Sequence, residues 1–73
     1  MPLRPLPFRE VKRKLEAAGF VVASQKGSHV KFVRHSEHGT AIAIVPNHGE
    51  VAVGTLRSIV RQAGLSVDGF ERL

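Results

Sequence analysis

HVKFVRHSEHGTAIAIV, residues 29–45, decides the fold of this chain. Residues 29–35 alternate apolar and polar side chains, which predicts a strand with one face toward a core. Val33 departs from that alternation, which favours either a bulge or burial on both faces. Residues 36–39 end in glycine and predict a four-residue hairpin loop. Residues 40–45 are nearly all apolar, so we expect them to form the central strand of the sheet, closed by the proline that follows.

A helix and a further strand are predicted before this hairpin. The helix has an apolar stripe with i, i+3, i+7 spacing, made by Phe8, Val11, Leu15 and Ala18. Gly19 ends it. Its charged residues are Arg9, Glu10, Lys12, Arg13, Lys14 and Glu16. They are expected on its exposed side, as a solvated face or as a nucleic-acid contact. Residues 20–24 predict the first strand and residues 25–28 a turn.

A second amphipathic helix is predicted after the hairpin. Its apolar stripe is made by Leu56, Ile59, Val60 and Ala63. It opens near residues 53–55 and ends at Gly64. Ser66 is expected to cap a final short turn over residues 67–73, with Phe70 packed onto the core.

The order helix–strand–strand–strand–helix predicts an α+β fold. Two helices on one face of a three-stranded antiparallel sheet make a two-layer sandwich. With 73 residues the chain is expected to be one domain, residues 1–73, near the lower limit for unaided folding. Residues 1–7 hold three of the four prolines and are expected to be an irregular arm before a core over residues 8–72.

Composition narrows the classes of function. Eleven Lys and Arg face six Asp and Glu, a net charge of +5, which favours a polyanionic partner such as nucleic acid. With four Phe and no Trp or Tyr, a base-stacking platform is disfavoured. The absence of cysteine excludes disulfides, thiolate chemistry and Cys-based zinc sites. No apolar run approaches the roughly 20 residues of a membrane span, and the start has no signal-peptide pattern, so a cytoplasmic location without membrane contact is expected.

Gly27-Ser28-His29 is the strongest candidate for chemistry. A flexible turn places one histidine at the start of a basic strand. Imidazole can accept and donate protons near neutrality, so His29 fits a general base that activates a ribose 2′-hydroxyl. Lys26 and Lys31 are the local cations for the phosphate, and Ser28 is a further phosphate-binding candidate. The alternative is a surface histidine at a strand edge.

Three more residues are candidate phosphate contacts. His48, in the loop after the third strand, is a second acid or base, a phosphate contact or a plain loop residue. Thr55 opens the second helix, whose free N–H groups suit a phosphate that Arg57 would reinforce. Ordinary capping by Thr55 is the alternative.

Two further histidines flank the predicted hairpin loop. His35 and His38 are expected to be exposed bystanders. No metal site is expected, because no His-x-x-x-His pair occurs and few carboxylates lie near the histidines.

Three motifs in order make the chain resemble the HicA family of toxins: Gly27-Ser28-His29, Pro46-Asn47-His48 and GTLRSIVRQAGL at residues 54–65. The resemblance covers residues 8–72. HicA toxins are the RNA-cleaving partners of HicA–HicB toxin–antitoxin modules. The resemblance therefore implies a double-stranded-RNA-binding-like fold and a metal-independent, cofactor-free endoribonuclease acting on mRNA. It makes His29 the catalytic residue, covered by a HicB-like antitoxin.

Two other functions remain open on the sequence. One is a non-catalytic double-stranded-RNA-binding module of the same fold, and the other is a protein-interaction domain whose basic face meets an acidic partner. Val51-Ala52-Val53 is more apolar than the family pattern, so it is either a partner contact or an extra core segment.

Overall fold

The chain forms a three-stranded antiparallel sheet with helices on one face, as the sequence predicted. The computed structural model describes residues 3–73, so Met1 and Pro2 lie outside the described residues. In chain order the elements are β1 (Leu6–Pro7), α1 (Phe8–Ala17), β2 (Val21–Lys26), β3 (His29–Ser36), β4 (Gly39–Pro46), β5 (Glu50–Val51), α2 (Val53–Gln62) and α3 (Val67–Glu71).

The strand order is β2-β3-β4, so β3 is the central strand. The prediction that residues 40–45 lie in the centre is wrong, because β4 is an edge strand. Its free edge is partly covered, since the Ile44 N–H donates to Oε1 of Gln62 on α2 at 3.1 Å. Pro46, which has no N–H to donate, ends this strand, a position that edge strands tolerate.

The core lies between the sheet and the helices. Alternate residues of the sheet face inward, and those of β3 and β4 are Val30, Phe32, Ala43 and Val45. The helices meet them with Val11, Leu15, Leu56, Ile59 and Phe70. Every one of these side chains is at most 2% exposed. This arrangement buries one face of the sheet, and no helix of residues 3–73 lies on the other face.

The segment before α1 differs from the predicted irregular arm. Leu6 and Pro7 form a two-residue antiparallel ladder with Val51 and Glu50 of β5. Leu3 is 9% exposed and joins the core. Val51 is 2% exposed and Val53 packs against the core, so these two valines belong to a core segment, whereas Ala52 between them is exposed. The arm is ordered here because its leucines have apolar surface to bury against α1 and β5.

The C-terminal turn is a third, short helix. Oγ of Ser66 accepts a hydrogen bond from the Gly69 N–H at 2.9 Å, which confirms the predicted cap. Phe70 is fully buried, also as predicted. The sequence predicted two helices, and α3 adds one turn beyond them.

Lys14 joins α3 to α1. The prediction that it lies on the exposed side of the first helix is wrong, because its side chain is 8% exposed. Its Nζ donates to the carbonyl oxygens of Phe70, Glu71 and Leu73 at 3.2, 3.1 and 3.1 Å. The ammonium also lies 5.4 Å from the centroid of the Phe70 ring. These carbonyls end α3, so one buried cation satisfies the end of that helix.

Candidate functional site

The turn between β2 and β3 builds the corner that holds His29. Gly27 has φ of +59°, in the left-handed region that favours glycine. Its carbonyl oxygen accepts a hydrogen bond from Nε2 of Gln25 at 3.1 Å. This geometry lets β3 begin immediately at His29, which pairs with Lys26 on β2 and with Pro46 on β4.

His29 lies on the face of the sheet that has no helix. Val30 and Phe32 face the core, so the alternation of the strand turns His29, Lys31, Val33 and His35 the other way. We call this face the outer face; its residues include His29, Lys31, Val33 and His35 of β3, Lys26 and Val21 of β2, and Ile42 and Ile44 of β4. Residues paired across strands share a face. Lys26 therefore lies beside His29, and Lys31 follows two positions along β3.

Val33 shows why the predicted alternation fails within β3. It is 8% exposed although it lies on the outer face, between Val21 and Ile42 in the neighbouring strands. Of the two alternatives, burial on both faces is the one realised in β3. Within residues 3–73, the strand register is irregular only in β2, between Val22 and Ser24.

The cations around His29 carry no structural contact. Within the described chain, residues 3–73, the side chains of His29, Lys26 and Lys31 form no hydrogen bond or ion pair. Lys14 of α1 and Arg34 of β3, by contrast, form hydrogen bonds within the fold. Lys14 binds the end of α3, and Arg34 donates to the Ala18 carbonyl at 3.0 Å. The free basic groups near His29 are therefore available to an anion.

The exposed face of α1 is partly neutralised by its own acids. Arg13 donates to Oε1 of Glu10 at 2.6 Å, and Lys12 lies 3.8 Å from a Glu16 carboxylate oxygen. The hydrogen bond from Arg13 holds the pKa of the Glu10 carboxyl below its usual value. This pairing favours the solvated-face interpretation of the charge run over a nucleic-acid contact.

The loop that carries His48 is hydrogen-bonded to the corner. The main-chain N–H of Asn47 donates to the carbonyl oxygen of Ser28 at 2.6 Å. The loop after β4 therefore lies next to the turn before β3. His48 directly follows Asn47 in this loop. His48 is exposed, with no hydrogen bond or ion pair from its side chain to any residue in 3–73.

Thr55 and Arg57 lie on α2 and are not joined to the corner. The helix begins at Val53 after Ala52, and no side chain among residues 3–73 caps it, so capping by Thr55 is wrong. Thr55 is half-buried in the first turn and Arg57 is exposed one turn in. Neither forms a hydrogen bond with the corner residues within the part of the chain that is described.

The other two histidines lie in the hairpin formed by β3 and β4. Nδ1 of His35 lies 3.0 Å from Oγ1 of Thr40, its partner across the strands. His38 is in the turn, 3.9 Å from a Glu37 carboxylate oxygen. Among residues 3–73, no group of three or more His, Cys, Asp or Glu side chains is placed to hold a metal ion.

Sequence analysis missed an apolar row on the outer face. Val21, Ile42 and Ile44 are 61%, 42% and 38% exposed, and they surround the nearly buried Val33. The signal was present in residues 40–45, because a strand that is apolar at every position is apolar on both faces. The same pattern is the basis of the prediction that this strand is central.

A comparison with known protein families shows to which family the chain belongs. The family model described as the HicA toxin of bacterial toxin–antitoxin matches residues 8–65. The chain belongs to the HicA toxin family. The match to the HicA model includes the corner, the His48 loop and α2. Among curated proteins, no sequence matches the chain.

Family membership makes this HicA chain a toxin of the toxin–antitoxin type. No helix within residues 3–73 has both the length and the apolar character needed to span a bilayer. All seven candidate site residues fall inside the matched range, and His29, Lys26, Ser28 and Lys31 form one continuous corner of the sheet.

Proposed function

We propose that this HicA toxin is an endoribonuclease that cleaves mRNA with His29 as the general acid–base group. The single observation that carries the proposal is the position of His29: an imidazole without a partner among residues 3–73, on an open sheet face, between two uncommitted lysines. A phosphodiester can approach this face without any helix moving. Proton transfer near neutrality is the chemistry that imidazole performs best.

The reaction that fits this corner is transfer of the phosphoryl group to the neighbouring ribose hydroxyl. Neutral His29 removes the proton from the 2′-hydroxyl, and the 2′-oxygen forms a bond to phosphorus. The bond from phosphorus to the 5′-oxygen breaks, and that oxygen takes a proton. The products are a 2′,3′-cyclic phosphate and a 5′-hydroxyl. The imidazolium of His29 is one source of the second proton, and His48 is the other candidate.

Lys26 and Lys31 support the reaction by electrostatics. Cross-strand neighbours have Cβ atoms about 5 Å apart, which puts the Lys26 side chain within reach of a phosphate beside His29. Charge builds on the non-bridging phosphate oxygens as the 2′-oxygen attacks, and a fixed cation stabilises it. Ser28, Thr55 and Arg57 are proposed as further contacts to the RNA backbone.

A HicB-like antitoxin is the proposed protein partner, and the outer face is its proposed binding surface. The row formed by Val21, Ile42 and Ile44 offers apolar area beside the basic corner. An antitoxin that covers this row with an apolar segment and meets Lys26 with acidic groups would also cover His29. Ile42→Asp is expected to abolish complex formation with a co-expressed antitoxin while RNA cleavage is retained. If Ile42→Asp lost RNA cleavage as well as antitoxin binding, the assignment of the apolar row to antitoxin binding alone would be contradicted.

The experiment on catalysis compares His29→Ala with His35→Ala in an RNA-cleavage assay that contains EDTA. His35 is the matched control because it lies on the same strand and the same face. General acid–base groups contribute about 100-fold to 10,000-fold, so His29→Ala is expected to lose at least about 100-fold. His35→Ala is expected to cleave like the unaltered protein. Both variants should keep the melting temperature, since both side chains are exposed.

Two outcomes would contradict the proposal. Full cleavage by His29→Ala removes the catalytic assignment. RNA binding without cleavage by the unaltered protein favours the non-catalytic double-stranded-RNA-binding alternative. In that case the salt dependence of binding, compared between the unaltered protein and Lys26→Ala, shows whether the corner contacts phosphate, because each phosphate contact adds about one unit to the slope.

A further inference from the structure

We propose that the main-chain N–H of Asn47 is a positioning group for the catalytic corner, fixing His29 and the His48 loop relative to each other. The proposal rests on the proposed function for its catalytic consequence. Its structural basis is the hydrogen bond from Asn47 N to Ser28 O, 2.6 Å long.

The alternation of the β3–β4 ladder explains why this bond matters. Since Asn47 and Ser28 are hydrogen-bonded, the next pair, His29 and Pro46, occupies a position where antiparallel strands exchange no bonds. The same alternation turns the Ile44 N–H away from β3, and that group indeed donates to Gln62. The missing N–H of Pro46 therefore costs the ladder no hydrogen bond, and His29 forms no main-chain hydrogen bond with β4.

His29 is consequently held on the β4 side only by the pairs that flank it. One flanking pair is Val30 with Val45, inside the sheet. The other is Ser28 with Asn47, outside the strands. Without the Asn47 bond, the hydrogen bonds between β3 and β4 would end at Val30. His29 would then follow directly on a turn whose Gly27 is conformationally permissive.

The pairing also sets the surroundings of the imidazole. Side chains in a non-hydrogen-bonded pair approach each other closely, with Cα atoms about 4.5 Å apart. The half-buried Pro46 ring thus stands beside His29 and limits the directions that the imidazole can take. Because Asn47 follows Pro46 and precedes His48, the same bond orients the loop residue proposed as a second acid or base.

The test separates the main-chain amide of Asn47 from its side chain. Asn47→Pro removes the N–H, whereas Asn47→Ala keeps it. With short RNA at saturation, Asn47→Pro is expected to lose about 10-fold to 100-fold in kcat, the range that a misplaced reacting group produces, with little change in KM. Asn47→Ala is expected to keep kcat within about twofold. Equal damage by the two variants, or unchanged kcat in Asn47→Pro, would overturn the proposal.

A second measurement does not depend on RNA cleavage. Hydrogen exchange followed by NMR on the unaltered protein should find the Asn47 amide protected to a similar degree as the Val45 amide. Exchange of the Asn47 amide at the rate of an open loop overturns the proposal, even if Asn47→Pro does not fold. In folded Asn47→Pro, the ring signals of His29 should broaden or double, and unchanged signals also count against positioning.

The failures of the two proposals are distinguishable. If His29→Ala cleaves RNA normally, the proposed function fails, whatever the exchange of the Asn47 amide. If His29→Ala is inactive while Asn47→Pro is fully active, only the positioning role fails.

Discussion

Replacing Lys14 with methionine tests how α3 is held to the rest of the chain. Methionine preserves the unbranched apolar stem and removes the ammonium, which donates to three main-chain carbonyl oxygens. A hydrogen bond to a charged group contributes about 1.5–3 kcal/mol, and bonds that share one donor group do not add fully. Water can hydrate carbonyls at the end of a short helix, which reduces the loss further. We therefore expect Lys14→Met to lower the free energy of unfolding by about 2–3 kcal/mol.

The shift in melting temperature follows from the size of the chain. An unfolding entropy of about 2.1 cal/mol/K per residue amounts to roughly 0.15 kcal/mol/K for 73 residues. A loss of about 2–3 kcal/mol then lowers the melting temperature by roughly 13–20 °C. Thermal unfolding followed by circular dichroism measures this directly.

Lys12→Met is the matched control, because Lys12 lies on the same helix and is half exposed. Its ammonium is 3.8 Å from a Glu16 carboxylate oxygen, a surface ion pair that contributes about 0.3–0.5 kcal/mol. If Lys14→Met lowers the melting temperature no more than Lys12→Met does, the argument that Lys14 anchors α3 is wrong. RNA cleavage at low temperature is expected to survive in both variants, since neither lysine lies on the outer face.

Three further predictions concern the core, the surface and the corner. Phe32→Ala, at a fully buried position of the central strand, should lose about 3–5 kcal/mol in denaturant unfolding. Glu10→Gln tests a carboxyl whose pKa is lowered from 4.5 by the hydrogen bond from Arg13. The Glu10 contribution is present above that unfolded value and is lost as pH falls through the folded pKa, so the two proteins should converge in stability on acidification. Gly27→Ala should cost about 1–2 kcal/mol from its left-handed φ alone, since an added Cβ meets no atom within 4 Å. Gly27→Asn should cost less, and equal costs would contradict that reasoning.

The two long helices, the three strands of the main sheet and the cap of α3 were predictable because each has a local signal. The 3.6-residue apolar stripes of α1 and α2, the alternation at Val30 and Phe32 and the cap at Ser66 all lie within short stretches of sequence. The order of the strands was not predictable in the same way. A strand that is apolar on both faces suggested the centre of the sheet, and the structure instead leaves Ile42 and Ile44 exposed on the outer face.

Long-range contacts account for the other differences. The ladder between Leu6 and Val51 and the burial of Lys14 join residues that lie 45 or more positions apart, for which no local pattern exists. At the candidate site, the turn before His29 and the adjacent lysines could be identified from sequence spacing. The bond between Asn47 and Ser28 could not, because it depends on the register of β3 against β4.

The burial of Lys14 has a practical consequence for chemical labelling. The chain has four lysines, and an amine-reactive reagent should modify Lys14 last, because its ammonium is enclosed by carbonyls and the Phe70 ring. Lys12, half exposed on α1, serves as an internal reference for a lysine at the surface. Lys26 and Lys31 then become reporters of whatever covers the outer face. Mass spectrometry of labelled peptides can follow RNA or antitoxin binding on the unaltered protein, without a mutation or a fluorescent tag.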